Sequence, residues 1–399
     1  MSHFKAPPFL SLPAVQTVFG LARLGGGEAR LVGGCVRDYI MGRSLAKIDI
    51  DMAVNLPIEK LMKVAHGEGI RVLETGLAHG SITLMIGELG IEVTQTRADI
   101  APDGRHSEIG FTADWHEDAQ RRDFTINALY IDEAGTLYDE VGGMADLQEM
   151  RLRFIGDARA RINEDYLRIL RGLRFCAQMP DLRLDEDALA AMAEAKEGLK
   201  GLSGERIHTE LQKSFDATGW QKAAVMMQEA EIDKLLFGAD FTFFDDQFIL
   251  QIKTQRWLVI LASLLPFEAL YAQIERLRLS NAEKQMLAQI GKAFSDEEWA
   301  CLASDRWHEY AYLAPLYLAE RAIVFMARKR PPRLLEAEEL RHIALFEPPP
   351  CPVTGHDLIK AGVPTGRKMG GYIDRAKQYF AASHFTADKD EILRYVLDN

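Results

Sequence analysis

The periodicity of this chain changes near Gly156, and that change limits what it can fold into. Between Ala29 and Phe154, short apolar runs (ARLVGG, KIDIDMAV, SITLMIG, GIEVTQTR, NALYIDE) alternate with turn and helix patterns. Alternation at period two predicts half-buried strands, so this region reads as an α/β unit of about four or five strands. Beyond Gly156 the strand signal largely stops. INEDYLRILRGLRFCAQM carries apolar residues at Ile162, Tyr166, Ile169, Leu170 and Leu173, one face of a helix. Helical patterns continue through GERIHTELQKSF, QRWLVILASLLP and APLYLAERAIVFMARKR until the proline cluster in FEPPPCPVTG breaks the chain. At 399 residues the chain exceeds what one core usually organises, which predicts two to four domains.

Net charge is −12, which by itself argues against binding nucleic acid through phosphate neutralisation but leaves room for a local basic groove. Cys35, Cys176, Cys301 and Cys351 are scattered without a CxxC pair, so neither a zinc site nor a disulfide framework is expected. That fits a reducing cytoplasm. The opening MSHFKAPPFLSLPAVQ lacks the basic and apolar regions of a signal peptide, and no apolar run reaches membrane-spanning length.

The chemistry concentrates early. In a strand, residues i and i+2 point the same way, so KIDIDMAV projects Asp49 and Asp51 together, opposite Ile48, Ile50 and Met52. Paired carboxylates repel unless a cation sits between them, and oxygen ligands without Cys or His suit Mg²⁺ or Mn²⁺. Upstream, LVGG followed by CVRDYIMG reads as strand, glycine turn and helix, a geometry that admits phosphate, with Arg37 placed to fork onto its oxygens. Alone, a GG turn is usually a turn and Asp-x-Asp is weak evidence; together within one βαβ-sized unit they favour a nucleoside-triphosphate and metal site. GIEVTQTR puts Glu92, Thr94 and Thr96 on one strand face. Glu92 is either a third carboxylate that helps deprotonate an attacking hydroxyl or an exposed strand residue. ADIAPDGRHSEIGFTADWHEDAQ, aperiodic and polar, reads as a long loop.

The order GGCVRD, DIDMAV, EVTQTR, RRDFTINAL, YDEVGG, EDYLRILRGLRF resembles the class II tRNA nucleotidyltransferases, the CCA-adding enzymes and their bacterial poly(A) polymerase relatives of the polymerase-β-like superfamily. The specific motifs cover residues 30–175, and PVTGHDLIKAGVPTG resembles the family's tail. The resemblance implies an α+β fold: a polymerase-β-like catalytic head (1–155), a helical neck (156–220), a helical body (221–346) and a helical, tRNA-binding tail (347–399). It implies Mg²⁺-dependent, template-independent addition of nucleotides from CTP and ATP to the 3′ end of tRNA. By motif, Asp49 and Asp51 would be metal ligands; Gly33, Gly34 and Arg37 would hold the triphosphate; Arg122 and Asn127 would contact the incoming nucleotide. Asp165, Arg168, Arg171 and Arg174 would line its pocket.

Read as one helix, EDYLRILRGLRF places Asp165 and Arg168 on one face at i, i+3, with Arg171 following. A carboxylate accepts from the exocyclic amino group of cytosine or adenine and repels the carbonyl of uracil or guanine. Such a pair selects C and A; the plain alternative is a salt-bridged helix surface. RRDFTINAL also has a plain reading, in which Phe124, Ile126, Ala128 and Tyr130 form an ordinary core strand or helix flank and Asp123 only neutralises the arginines; the plain reading of Asp139 with Gly142-Gly143 is a turn before a helix.

Bacterial poly(A) polymerases of the family carry an arginine-rich GRRF-type stretch after the paired aspartates. Here the region reads ETGLAHGSITLMIG, and DGRHSEIGFTADW is close to the loop of full CCA-adding enzymes, where it would act as a lever switching the pocket from C to A. A poly(A) polymerase, a CC-adding enzyme and an inactive RNA-binding protein are the alternatives. No His-Asp doublet with partner histidines indicates an appended phosphohydrolase; His356-Asp357 falls in the tail. Basic residues at Arg171-Arg174, Arg328-Lys329-Arg330 with Arg333, and Arg367-Lys368 are expected to grip the tRNA acceptor arm by shape.

Overall fold

The computed structural model describes residues 5–44, 49–100, 108–244, 255–314, 316–366 and 368–398. The chain is α+β and divides into two compact units, residues 1–202 with 218–232, and residues 203–217 with 233–399.

In the first unit α1 (Pro13–Leu24) leads to β1 (Ala29–Val32), α2 (Gly34–Ile40), β2 (Asp51–Val54), α3 (Ile58–Gly67) and β3 (Arg71–Gly76). β4 (Ser81–Ile86) and β5 (Leu89–Gln95) form a hairpin with a two-residue turn that opens on Gly87 at φ 62°. A hairpin this tight needs positive φ at that position. β6 (Arg97–Ile100) pairs antiparallel with β7 (Glu108–Phe111), and α4 (Trp115–Gln120), β8 (Leu129–Ile131) and β9 (Leu137–Asp139) follow. The main sheet runs β3-β4-β5-β2-β1-β8-β9, antiparallel except where β2 lies parallel to β5.

The sheet therefore has seven strands rather than the four or five expected. β3 sits at an edge and β9 is three residues long, so neither writes a clear apolar alternation. The expected long loop also contains regular structure, namely β6, β7 and α4; Asp114 caps α4 by accepting from the His116 N–H at 2.8 Å. The centre of that segment, residues 101–107, lies outside the described residues.

Strand pairing assigns the two faces of the sheet. Met52 and Val54 of β2, Ile91 and Val93 of β5, Ile82 and Leu84 of β4 and Leu31 of β1 share one face and are all nearly fully buried. α1 packs on β1 and β5, and α3 on β3 and β4. On the opposite face Val32, Ala53 and Tyr130 lie under Trp115 and Ala119 of α4, whereas Asp51, Glu92 and Thr83 form a polar strip.

α5 (Gly143–Gln148), β10 (Arg151–Leu152), α6 (Ala158–Glu164), α7 (Leu167–Gln178), β11 (Arg183–Leu184, parallel to β10) and α8 (Glu186–Ala195) continue the unit, and α10 (Trp220–Glu229) packs on α7. The helix read through EDYLRILR is two helices. Asp165 is extended, at φ −152° and ψ 104°, and separates α6 from α7. The apolar stripe crosses the break because Ile162 and Ile169 are both fully buried, so periodicity alone conceals it.

The second unit is helical: α9 (Gly204–Phe215), most of α11 (Ile232–Phe237), α12 (Arg256–Leu264), α13 (Phe267–Tyr271), α14 (Asn281–Ile290), α15 (Asp296–Leu302), α16 (Trp307–Leu313), α17 (Leu318–Lys329), α18 (Ala337–Leu345), α19 (Gly355–Lys360), α20 (Met369–Ala382) and α21 (Lys389–Asp398). α12 is buried on every side from Trp257 to Leu264, the central helix on which α9, α14 and α17 pack. Capping boxes start α14, α15 and α19 through Ser280 with Glu283, Ser295 with Glu298, and Thr354 with Asp357. Asp357, half of the tail's His-Asp pair, is thus a helix cap that also pairs with Lys389 at 2.6 Å. No helix among the described residues is long and apolar enough to cross a membrane.

Candidate active site

β1 ends at Val32, and Gly33 turns the chain at φ 73° and ψ −131°, a conformation that strongly favours glycine. Gly34 opens α2, and Arg37 in its first turn is nearly buried. The Arg37 guanidinium donates from its Nη1 atom to Asn127 Oδ1 at 2.7 Å and from Nε to Asp38 Oδ1 at 2.9 Å, and lies 5.1 Å from the Phe175 ring.

β2 begins at Asp51, later than the expected strand; Asp49 precedes it and is exposed, while Ile50 is buried. Ile48 lies outside the described residues. Asp51 is directly beside Glu92 in the parallel β2–β5 register, so the neighbouring-strand carboxylate stands where the alternation of GIEVTQTR put it. Thr96 departs from that pattern: it falls past the end of β5, fully buried, and donates to the carbonyls of Val54 and Thr112. Burial, then the charges of Glu92 and Asp49, push the Asp51 carboxyl up to about 6, against the pull of Arg122 and Arg37. The hard oxygens of these carboxylates are of the kind that suits Mg²⁺ or Mn²⁺. Among the described residues, no three acidic, imidazole or thiol side chains close up tightly enough to hold a cation unaided. Behind the site, burial raises the Cys35 thiol to about 11, and its Sγ lies 3.3 Å from the Val32 carbonyl.

RRDFTINAL is neither a plain strand nor a helix flank. Thr125–Asn127 is one 3-10 turn before β8. Arg122 faces Asp118 and Tyr130 in a closed triad: it donates to Asp118 Oδ2 at 2.9 Å and to the Tyr130 hydroxyl at 3.0 Å, and that hydroxyl donates to Asp118 Oδ2 at 2.8 Å. Asp118 and Tyr130 were not among the sequence candidates; Asp118 lies one helical turn before Arg122, the spacing that could have exposed it. Asn127 joins Arg37 on one side to Asp123 on the other, with its Nδ2 donating to Asp123 Oδ1 at 3.2 Å.

Asp165 does not lie on a helix face with Arg168. Its carboxylate accepts from the Leu167 N–H at 3.1 Å, at the extended break between helices. The Arg168 guanidinium pairs with Glu164 at 2.6 Å and donates to the carbonyls of Arg161 at 2.7 Å and Arg121 at 3.0 Å. Arg171 donates to Asp123 Oδ2 at 2.7 Å, and the Arg174 guanidinium sits 4.4 Å from the Phe175 ring. The structure therefore brings Arg37, Asn127 and Arg171 together through Asp123, and sets Asp51 and Glu92 side by side on the polar strip, with Asp49 just before β2. Asp139 accepts from the N–H groups of Gly142, Gly143 and Met144 at 2.8–2.9 Å, the turn before α5 that the motif suggests.

Of the expected basic clusters, Arg328, Lys329 and Arg330 are exposed at the end of α17, and Arg333 pairs with Glu339 at 2.6 Å. Lys329, Arg330 and Arg333 rim a cleft of about 700 Å³ floored by Phe294, Trp299 and Phe325. Arg367 lies outside the described residues, as does most of the DGRHSEIGF lever.

Residues 29–153 match the family described as poly A polymerase head domain, and residues 181–238 match the probable RNA and SrmB-binding site of polymerase A. The mouse (Mus musculus) protein named CCA tRNA nucleotidyltransferase 1, mitochondrial, is 32% identical over 405 residues, covering 98% of this chain and 92% of its own length. The Streptococcus uberis CCA-adding enzyme is 32% identical over 289 residues, 70% of each chain. Among solved structures, the Bacillus stearothermophilus CCA-adding enzyme in complex with CTP superposes with a TM-score of 0.73 at 23% identity, over 99% of this chain and 98% of that one. The Thermotoga maritima CCA-adding enzyme complexed with tRNA(CCA) gives 0.71 at 21% identity, over 100% and 99%. These likenesses between structures establish the shared fold.

Proposed function

This chain belongs to the tRNA nucleotidyltransferase family of CCA-adding enzymes, and from that premise we propose that it adds C, C and A to the 3′ end of tRNA from CTP and ATP without a nucleic-acid template. The observation that carries the reading is the polar strip where Asp51 stands beside Glu92, with Asp49 just before the strand. Asp49 and Asp51 would hold Mg²⁺, or Mn²⁺, which when bound supplies the Lewis-acid stabilisation of phosphoryl transfer. The tRNA 3′-hydroxyl attacks the α-phosphorus of the nucleotide, the new O–P bond forms, and pyrophosphate leaves from the opposite side. Glu92, the register partner of Asp51, would accept the hydroxyl proton.

The glycine turn at Gly33-Gly34 lets phosphate approach the backbone, and Arg37 offers it a charged fork whose orientation Asn127 sets. Arg122, clamped by Asp118 and Tyr130, adds fixed positive charge toward the carboxylates and the incoming nucleotide. Asp165, at the extended break before α7, would read the base edge together with Arg168, which must leave Glu164 and the carbonyls of Arg161 and Arg121 to reach a nucleotide. A carboxylate there welcomes the amino group of C or A and leaves U or G with an unpaired carbonyl, a distinction worth up to ~10⁴ where buried groups go unmet. Arg171 and Arg174, on α7, would line the same pocket. Within this proposal the head, neck, body and tail divide near residues 155, 220 and 346, and the cations of α17 help hold tRNA. The cytoplasm is the proposed compartment, in keeping with four free cysteines, although the mouse and human relatives carry mitochondrial names.

The test is extension of tRNA transcripts lacking CCA, with Mg²⁺ and all four nucleotides, followed by sequencing of the 3′ ends. Ends of CCA and no further are expected. Ends stopping at CC, or long A tracts, would replace the proposal with a CC-adding enzyme or a poly(A) polymerase.

A further inference from the structure

Asp123 touches neither the glycine turn nor the carboxylate strip, yet it connects two of the cations assigned to the nucleotide. It is 7% exposed. Its Oδ2 accepts from Arg171 Nε at 2.7 Å. Its Oδ1 accepts from Asn127 Nδ2 at 3.2 Å and from the Phe124 N–H at 2.8 Å. Asn127 then uses its oxygen to accept from Arg37 at 2.7 Å. The amide can stand only one way round: turned over, it would aim its N–H₂ at a guanidinium and its oxygen at a carboxylate. The backbone holds the centre of this chain in place, because the Asp123 carbonyl accepts from the Ile155 N–H at 3.2 Å. Arg37 and Arg171 lie 5.1 and 5.7 Å from one Phe175 ring, so two like charges converge where a buried anion offsets their repulsion.

We propose that Asp123 is a positioning residue that sets Arg171 directly and Arg37 through Asn127, holding the base end and the phosphate end of the nucleotide pocket in one register. The inference rests on the nucleotidyl-transfer reading for what those two arginines face. It predicts that the two ends of the pocket fail together when this carboxylate is neutralised, although Asp123 itself touches no substrate.

The experiment uses the full chain, with CTP and ATP binding measured by calorimetry in Mg²⁺ without tRNA, and addition measured separately. Asp123→Asn keeps the volume and removes the charge. It is expected to weaken binding of both nucleotides about tenfold and to lower kcat about tenfold or more, with KM for tRNA unchanged. In an Arg171→Gln background the same change should cost less than about twofold, because the group it acts through is gone. Asn127→Ala, which cuts only the Arg37 arm, should raise KM for both nucleotides, and it remains informative if Asp123→Asn does not fold. The proposal is overturned if either variant folds with nucleotide KM and kcat within about twofold of the wild type, or if the Asp123 and Arg171 losses multiply independently. Wild-type chain that binds CTP but extends no tRNA defeats the CCA-adding reading alone and leaves the binding comparison to judge Asp123. Wild-type chain that binds no CTP defeats both.

Discussion

At Asp51, burial and two neighbouring carboxylates act in the same direction and hold the carboxyl above its ordinary range. Asp49→Ala and Asp51→Asn should each abolish nucleotide addition without unfolding the chain, as read by tRNA extension beside a thermal melt. Mg²⁺ should raise the melting temperature of the wild type and leave that of Asp51→Asn unmoved, since a ligand stabilises only the state that binds it. Retained turnover in either variant would remove the metal assignment. Asp123 behaves oppositely. Burial alone would push its carboxyl up, but the Arg171 charge and the hydrogen bonds from Asn127, Arg171 and the Phe124 N–H hold it at about 2. A carboxyl depressed in the folded state adds stability above its unfolded pKa, near 4, and loses that contribution as pH falls through the folded value. The wild type should therefore lose on the order of 2 kcal/mol more than Asp123→Asn between pH 4 and pH 2, measured by urea unfolding across that range.

The elements around the site pack too closely for some side chains. A Cβ on Gly143, at the start of α5, would stand 2.3 Å from the Thr125 carbonyl oxygen, in the turn that carries Asn127. One on Gly172 in α7 would meet the end of the flexible Met192 side chain at 2.4 Å. Backbone cannot step aside as a thioether can, so Gly143→Ala should cost about 2–3 kcal/mol and Gly172→Ala about 1 kcal/mol. Equal destabilisation in denaturant melts would contradict this difference between the two glycines. At this scale the sequence was legible wherever one face alternates: the β1–turn–α2 unit follows from period two and a glycine pair, whereas the meeting of Asp51 with Glu92 needed the parallel pairing of β2 with β5. The α6–α7 break was not legible, because Ile162 and Ile169 keep helical spacing across a single extended residue. The Asp165–Arg168 helix face went with it, and Glu164 took the arginine.

Across the whole molecule, a chain of net charge −12 that handles tRNA must place its cations locally. Lys329→Glu with Arg330→Glu should weaken tRNA binding and reduce the slope of log K against log salt by about 0.7–0.9 for each phosphate no longer neutralised. An unchanged affinity and slope would detach α17 from the tRNA path. What the sequence by itself determined is the succession of a strand-rich head and a helical remainder, the glycine turn, and the strands that carry Asp51 and Glu92, because these depend on local periods and on residue types with few alternatives. Which charges meet was decided only by tertiary structure. Arg37 lies 90 residues from Asn127 and Arg171 lies 48 from Asp123, and nothing local distinguishes those partners from other polar residues nearby. Folding the RRDFTINAL turn against α2 and α7 brings them within hydrogen-bond reach, and burial then makes each pairing obligatory, since an unmatched charge there would cost more than the pairing yields.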